Sequence, residues 1–151
     1  MAEIESVQHT GFTVSDLERS VAFYRDVLGF EVFAEGERQG GYFAAIVGYP
    51  DTHVRMALVR PRGSAHHIEL FQYLTPGPRT VDLEPRLVGP THVCLIVDDL
   101  PALYERLQAA GVDTFTPPVE VDHGINKGGF ALYMRDPDGI ILELFQPPRR
   151  S

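Results

Sequence analysis

Two histidines and two glutamates stand at matching places in two similar halves of the chain. His9 begins the segment His-Thr-Gly-Phe-Thr-Val-Ser-Asp-Leu, and His92 begins the similar segment His-Val-Cys-Leu-Ile-Val-Asp-Asp-Leu. Glu69 and Glu143 each begin the same four residues, Glu-Leu-Phe-Gln. Imidazole and carboxylate groups are ligands that suit borderline divalent metals. The repeated pattern therefore predicts one divalent metal ion held by four side chains: His9, Glu69, His92 and Glu143.

These four candidate ligands are expected on strand faces that are otherwise mostly apolar. Alternate side chains of a strand share a face, so Glu69 lies with His67 and Phe71, and His92 lies with Cys94. A carboxylate on such a face is costly to bury unless it is paired or coordinates a metal. Hydrogen-bonded His–Glu pairs without a metal are the alternative interpretation.

The elements that must position these residues also occur twice. A strand over residues 7–14 precedes a helix over 17–28, which Ser15-Asp16 begins and Gly29 ends. Further strand candidates cover residues 30–34, 41–47, 54–59 and 67–73. The second half repeats the plan with a strand over 91–97, a helix over 100–110, and strands near Thr114 and over 131–134 and 140–145.

These patterns predict a single α+β domain over residues 1–151, made of two tandem β-α-β-β-β modules, the first with one possible extra strand. Module one covers about residues 5–75, a connection rich in Pro and Gly covers 76–90, and module two covers about 91–147. The histidines are 83 residues apart and the glutamates 74, so the first copy is longer by nine residues. The sequence places this insertion at residues 54–64.

Composition excludes several kinds of partner. The net charge of −8 does not favour binding to nucleic acid or to an anionic membrane, because both are bound through excess Lys and Arg. No apolar run approaches the 18 or so residues of a membrane span. The expectation is a soluble cytoplasmic protein with a small-molecule partner, in which the single cysteine, Cys94, is a packing residue.

Several motifs make the chain resemble the vicinal oxygen chelate superfamily, which includes glyoxalase I, bleomycin resistance proteins and extradiol dioxygenases. They are His9 followed by Val14-Ser15-Asp16-Leu17, the later Leu28-Gly29-Phe30, His92 followed by Val97-Asp98-Asp99-Leu100, and Asp136-Pro137-Asp138-Gly139 leading to Glu143. The resemblance implies that the modules form an open, curled, cup-like mixed sheet around one metal, with the helices outside. It also implies a substrate that approaches the metal with two adjacent oxygens.

The filled set of four ligand positions is similar to that of glyoxalase I and of the acyl-CoA epimerases. The resemblance implies a lyase or isomerase that transfers a proton, with Glu143 or Glu69 as the base and Ni, Zn or Co as the metal. The segments Val47-Gly48-Tyr49 and Lys127-Gly128-Gly129 are similar to glyoxalase I. Thr13 and Tyr73 stand where bacterial glyoxalases tend to have an Arg and an Asn for glutathione, which does not favour glutathione as cosubstrate.

An extradiol ring-cleaving dioxygenase is the main alternative. His123, Tyr133, the Asp136-Pro137 pair and Glu143 come within one residue of that family's spacing. This resemblance implies Fe or Mn held by His9, His92 and Glu143, with His123 as acid–base and Tyr133 bonded to a substrate oxygen. The presence of Glu69 does not favour a dioxygenase, and His123 is equally compatible with a polar turn.

Two further alternatives are an acyl-CoA epimerase and a non-catalytic, ligand-sequestering resistance protein. The epimerases carry an additional glutamate base on the strand that matches residues 41–47, and this stretch has no carboxylate. The sequestering proteins lack the metal ligands that are present here.

The substrate pocket is predicted to be mostly aromatic. Its candidate walls are Phe43, Phe71, Tyr73, Phe130 and Tyr133, with His67 able to touch substrate. Residues 124–129 contain three glycines and form a plausible lid. A homodimer is the expected assembly. The resemblance allows the two modules to pair either within one chain or across the dimer.

Overall fold

The computed structural model describes residues 3–149, which form two compact units with a boundary between Thr80 and Val81. Module one contains β1 (His9–Thr13), α1 (Leu17–Ala22, continued by a π-helical turn over Phe23–Val27), β2 (Glu31–Gln39), α2 (Gly41–Val47), β3 (His53–Arg60) and β4 (His67–Thr75). Its four strands form one mixed sheet in the order β1-β4-β3-β2.

Module two repeats this arrangement. It contains β5 (His92–Ile96), α3 (Leu100–Ala109), β6 (Val119–Glu120), β7 (Phe130–Arg135) and β8 (Ile141–Gln146), and its sheet has the order β5-β8-β7-β6. The predicted α+β fold with a doubled strand plan is therefore confirmed. No helix within residues 3–149 is long and apolar enough to cross a membrane.

Parallel pairing of the first and last strands places the candidate ligands in each module. In module one, His9 lies opposite His67 and Gly11 lies opposite Glu69. In module two, His92 lies opposite Ile141 and Cys94 lies opposite Glu143. Because side chains two residues apart share a strand face, each register puts one histidine and one glutamate on the same face of neighbouring strands.

The glutamine of the repeated Glu-Leu-Phe-Gln segment has a structural role of its own. The amide oxygen of Gln72 accepts from the backbone N–H of Leu17, and that of Gln146 accepts from the backbone N–H of Leu100. Each glutamine thereby satisfies a free N–H in the first turn of a helix. The repeated motif therefore ties the strand that bears the candidate glutamate to the helix that follows the first strand of the same module.

Both predicted helix starts are confirmed. The carboxylate of Asp16 accepts from Arg19 N–H, and that of Asp99 accepts from Ala102 N–H, which are standard N-cap bonds. The helices pack on the sheet faces that bear the apolar side chains. The side chains buried below 2% exposure include Tyr24, Val54, Val59 and Leu70 in module one and Leu100, Leu107, Leu142 and Leu144 in module two.

Two sequence-based expectations about the first module are wrong. Residues 41–47 form the helix α2 and not a strand, because Gly40 and Gly41 turn the chain at φ values of 58° and 64° and Gly48 ends the helix at 77°. The insertion does not lie at residues 54–64. Leu58 and Tyr133 are equivalent positions, because Leu58 pairs with Glu69 and Tyr133 pairs with Glu143. Leu58 lies 49 residues after His9, whereas Tyr133 lies only 41 residues after His92. Eight of the nine additional residues therefore precede the middle of β3, where β2 is longer and α2 is added.

The Asp-Pro-Asp-Gly turn between β7 and β8 depends on a buried carboxylate. Asp136 is 5% exposed, and its Oδ1 accepts from the backbone N–H groups of Asp138 at 2.9 Å and Ile140 at 2.8 Å. This turn sets the register in which Tyr133 lies opposite Glu143.

Replacing Asp136 with Ala is expected to lower the free energy of unfolding by about 2 kcal/mol, because two backbone donors lose a charged acceptor. Urea unfolding followed by circular dichroism measures this change. Asp136→Asn keeps an oxygen acceptor and should stay within about 1 kcal/mol of wild type; an equal loss in both variants would contradict the assigned role.

Candidate metal centre

Module one brings three candidate donors together on one face of its sheet. His9 Nε2 lies 3.5 Å from Glu69 Oε2, and His67 Nε2 lies 3.4 Å from Glu69 Oε1. Donor atoms of all three residues lie within 4.8 Å of one another. The predicted pairing of His9 with Glu69 is thus seen as a contact, and His67 joins it.

The hydrogen bond of His9 to its neighbour fixes the form of its ring. His9 Nδ1 lies 2.9 Å from the amide oxygen of Gln8, which can only accept, so Nδ1 carries the proton. In the neutral ring Nε2 then presents a lone pair toward a carboxylate that also only accepts. A cation between Nε2 and Glu69 would satisfy both acceptors, and metal-bound histidines commonly donate their other ring N–H in this way. The donor set therefore fits a divalent metal.

Module two forms a second imidazole–carboxylate pair. His92 Nε2 lies 3.1 Å from Glu143 Oε2, and the hydroxyl of Tyr133 lies 3.3 Å from the same nitrogen. The rings of His92 and Tyr133 lie 4.9 Å apart between centroids. The side chain of Glu143 is only 23% exposed, compared with 42% for His92, so the carboxylate is the more enclosed member of the pair.

The doubled fold and its doubled His–Glu pairs agree with comparison to known proteins. The profile of the Glyoxalase/Bleomycin resistance protein/Dioxygenase superfamily matches residues 6–144. The chain belongs to this superfamily. The family resemblance predicted from the motifs is thereby confirmed.

Relatives within the glyoxalase superfamily carry the names of more than one reaction. The chain is 30% identical over 148 residues to a protein named as a probable lactoylglutathione lyase of Vibrio parahaemolyticus, covering 96% of this chain and 93% of that protein. It is also 30% identical over 146 residues to the ethylmalonyl-CoA/methylmalonyl-CoA epimerase of Cereibacter sphaeroides, covering 95% and 98%. A crystal structure of a glyoxalase family protein from Bacillus cereus has a TM-score of 0.84 at 19% identity, covering 98% and 97% of the two chains. That likeness shows the glyoxalase fold.

Two protonated groups surround Glu143 in this glyoxalase-superfamily chain. Burial of the thiol, the nearby Glu143 charge and a hydrogen bond with that carboxylate raise the pKa of Cys94 to about 11. Burial and the charges of Glu143 and Cys94 also raise the pKa of Tyr133. Both groups are therefore hydrogen-bond donors at neutral pH, beside a carboxylate that accepts.

The residues suggested by the dioxygenase resemblance lie in different surroundings. Tyr133 is on β7 against His92, as described above. His123 lies outside the strands in the segment before β7, where its side chain is 92% exposed and hydrogen-bonded to Asp122. Its predicted acid–base role gains no support from these contacts.

Three of the predicted aromatic wall residues contact one another in module one. Phe43 of α2 stacks on Phe71 of β4 with centroids 5.3 Å apart, and it lies 6.4 Å from Tyr73. Phe71 is two residues from Glu69 on the same strand, so this aromatic cluster extends the face that bears the candidate metal ligands. Phe130, the remaining predicted wall residue, begins β7 in module two and is half-buried.

Sequence reasoning missed two supporting residues of the first half-site. Gln8 orients the His9 ring, and Phe33 of β2 meets the His67 ring edge-on at 5.3 Å. The Gln8-His9 pair is adjacent in sequence and could have been noted. The Phe33 contact joins strands that are remote in sequence, so no local pattern indicates it.

Proposed function

We propose that this glyoxalase-superfamily protein is a divalent-metal-dependent enzyme of the lyase or isomerase type. Its substrate would be a small molecule with two adjacent oxygens, from which the enzyme moves a proton at a neighbouring carbon. The observation that carries the proposal is the repeated pair, His9 with Glu69 and His92 with Glu143, at equivalent positions of the two sheets. Relatives named as a lyase and as an epimerase support the same class of chemistry.

The four residues would be ligands of one ion per chain, and a bound divalent ion would act as a Lewis acid that polarises the substrate oxygens. Nickel, zinc and cobalt suit this mixture of imidazole and carboxylate donors. The two carboxylates differ in their contacts. Glu69 faces an imidazole with each of its oxygens, whereas Glu143 faces one imidazole through Oε2.

The carboxylate that faces a single imidazole is the better candidate for the base, so we assign proton transfer to Glu143. Tyr133 and Cys94 keep their protons beside it. Tyr133 would orient His92 and donate a hydrogen bond toward a substrate oxygen. The aromatic cluster of Phe43, Phe71 and Tyr73 would bind the apolar part of the substrate.

Protein purified without chelator or metal-affinity resin is expected to contain about one Ni, Zn or Co ion per chain by elemental analysis. Chelation should remove the ion, and adding it back should restore solvent-deuterium incorporation into a panel of 2-hydroxy ketones, thiohemiacetals of 2-oxoaldehydes and 2-methyl thioesters. Replacing the exposed His123 with Gln is a matched control that should leave the metal content unchanged. Protein that contains no metal and takes none up would contradict the proposal.

A dioxygenase is the second candidate, because the Tyr133 hydroxyl lies 3.3 Å from His92 Nε2 and would therefore be close to a substrate oxygen bound beside that histidine. About one iron or manganese ion per chain, together with oxygen uptake on catechols, would favour it over the lyase. The cytoplasmic location, the homodimer and the absence of glutathione remain predictions. Light scattering measures the assembly, and activity with and without glutathione tests the cosubstrate.

A further inference from the structure

We propose that His67 is a third protein ligand, so that module one binds the metal ion with two imidazoles and one carboxylate. The proposal rests on the metal dependence proposed above and extends its ligand set. Within residues 3–149, His67 belongs to the one group of three or more His, Cys, Asp and Glu side chains whose donor atoms approach one another closely enough to hold an ion. The two other members are His9 and Glu69.

The two imidazole–carboxylate distances are close to the spacing of ligands around one ion. Two ligand atoms that are each about 2.1 Å from a metal ion lie about 3.0 Å apart when the angle at the ion is a right angle, and about 3.4 Å apart when it is tetrahedral. His67 Nε2 lies 3.4 Å from Glu69 Oε1, and His9 Nε2 lies 3.5 Å from Glu69 Oε2. The two imidazoles thus approach different oxygens of one carboxylate at close to ligand spacing.

The fold holds His67 more firmly than His9. The His67 side chain is 11% exposed, compared with 40% for His9. Its ring lies perpendicular to the Phe33 ring with centroids 5.3 Å apart, and the Arg60 guanidinium lies 4.4 Å from the Phe33 centroid. The ring of His67 also lies 5.5 Å from that of His9, and both imidazoles are oriented toward Glu69.

This third donor distinguishes the two modules. The residue opposite His9 is His67, whereas the residue opposite His92 is Ile141, which cannot bind a metal. Module one therefore offers three protein donors and module two offers two.

The test measures Co²⁺ binding to the metal-free chain by its visible absorption, in wild type and in a His92→Ala/Glu143→Ala background that leaves only the donors of module one. The background protein should still bind Co²⁺. Adding His67→Ala to it should weaken binding by more than about 100-fold, beyond the 10- to 100-fold expected for a residue that only orients a ligand. A loss of about 100-fold or less would overturn the proposal, because a residue that only orients a ligand accounts for it.

His66→Gln is the matched control. His66 precedes His67 directly, but its Nε2 lies 3.0 Å from the hydroxyl of Thr10 and it belongs to the opposite face of the strand. Co²⁺ affinity should be unchanged in this variant. A loss equal to that of His67→Ala would overturn the assignment, because it would indicate general damage to the strand.

A second measurement avoids substitution altogether. X-ray absorption of the zinc-loaded wild-type chain counts the coordinated imidazoles, and three are expected, from His9, His67 and His92; a count of two would overturn the proposal. The outcomes also separate the two proposals. A wild type that binds no Co²⁺ refutes metal dependence itself, whereas a wild type that binds one ion with two imidazoles refutes only the role of His67.

Discussion

Glu143→Gln is expected to lower kcat by about 1000-fold, within the range that a positioned general base contributes, while the protein remains folded and loaded with metal. Glutamine has nearly the same shape and can keep a polar contact with His92, but it cannot take up a proton. Glu143 is partly enclosed, bonded to His92 and surrounded by the protonated Tyr133 and Cys94. The substitution therefore removes the proton acceptor, while the amide oxygen of glutamine can still serve as a ligand of the ion.

The measurement is solvent-deuterium incorporation at saturating substrate, using whichever compound of the panel gives the fastest wild-type exchange. Metal content is measured in the same samples, so that a loss of metal is not mistaken for a loss of the base. Glu120→Gln changes an exposed carboxylate on the same sheet and should leave the rate unchanged. A Glu143→Gln rate within tenfold of wild type would show that another group is the base.

Gly129→Ala is expected to lower the free energy of unfolding by about 3 kcal/mol, near the upper end of typical overpacking costs. A Cβ added at Gly129 would lie 2.7 Å from the carbonyl oxygen of Gln146, 3.0 Å from a ring carbon of Phe145 and 3.1 Å from the carbonyl oxygen of Asn126. Two of these contacts are with backbone, which cannot rotate away. The strand ends at β7 and β8 would have to separate.

Gly11→Ala is the control for this prediction. Its Cβ would meet only the edge of the Phe71 ring at 3.7 Å, an ordinary contact, so the stability should change by less than about 1 kcal/mol. Thermal and urea unfolding of both variants measure the difference. Equal stability of Gly129→Ala and wild type would mean that the strands bearing Tyr133 and Glu143 tolerate a wider separation than the structure shows.

The sequence was sufficient to predict the doubled fold and the His–Glu pairs because both depend on local patterns that occur twice. Asp16 and Asp99 begin the helices, and a strand period of two puts Glu69 on the face of His67. The repeat itself indicated which glutamate belongs with which histidine. These features need only capping chemistry and strand geometry.

Other features were not predictable because they depend on contacts between distant segments. Residues 41–47 are aromatic and aliphatic enough to be read as a strand, yet the stacking of Phe43 on Phe71 and the glycines at both ends stabilise a helix. The donor role inferred for His67 likewise needs the orientation given by Phe33 of β2. Tertiary contacts decided both cases over local propensity.

The difference between His67 and Ile141 also bears on how a duplicated chain can diverge. Each strand pair carries its own histidine and glutamate, so a change at residue 67 alters one half-site and leaves the register of the other intact. A single substitution after duplication could thus have given the two modules different roles, one in holding the ion and the other in the reaction. One module could then change its substrate specificity while the other kept its affinity for the metal.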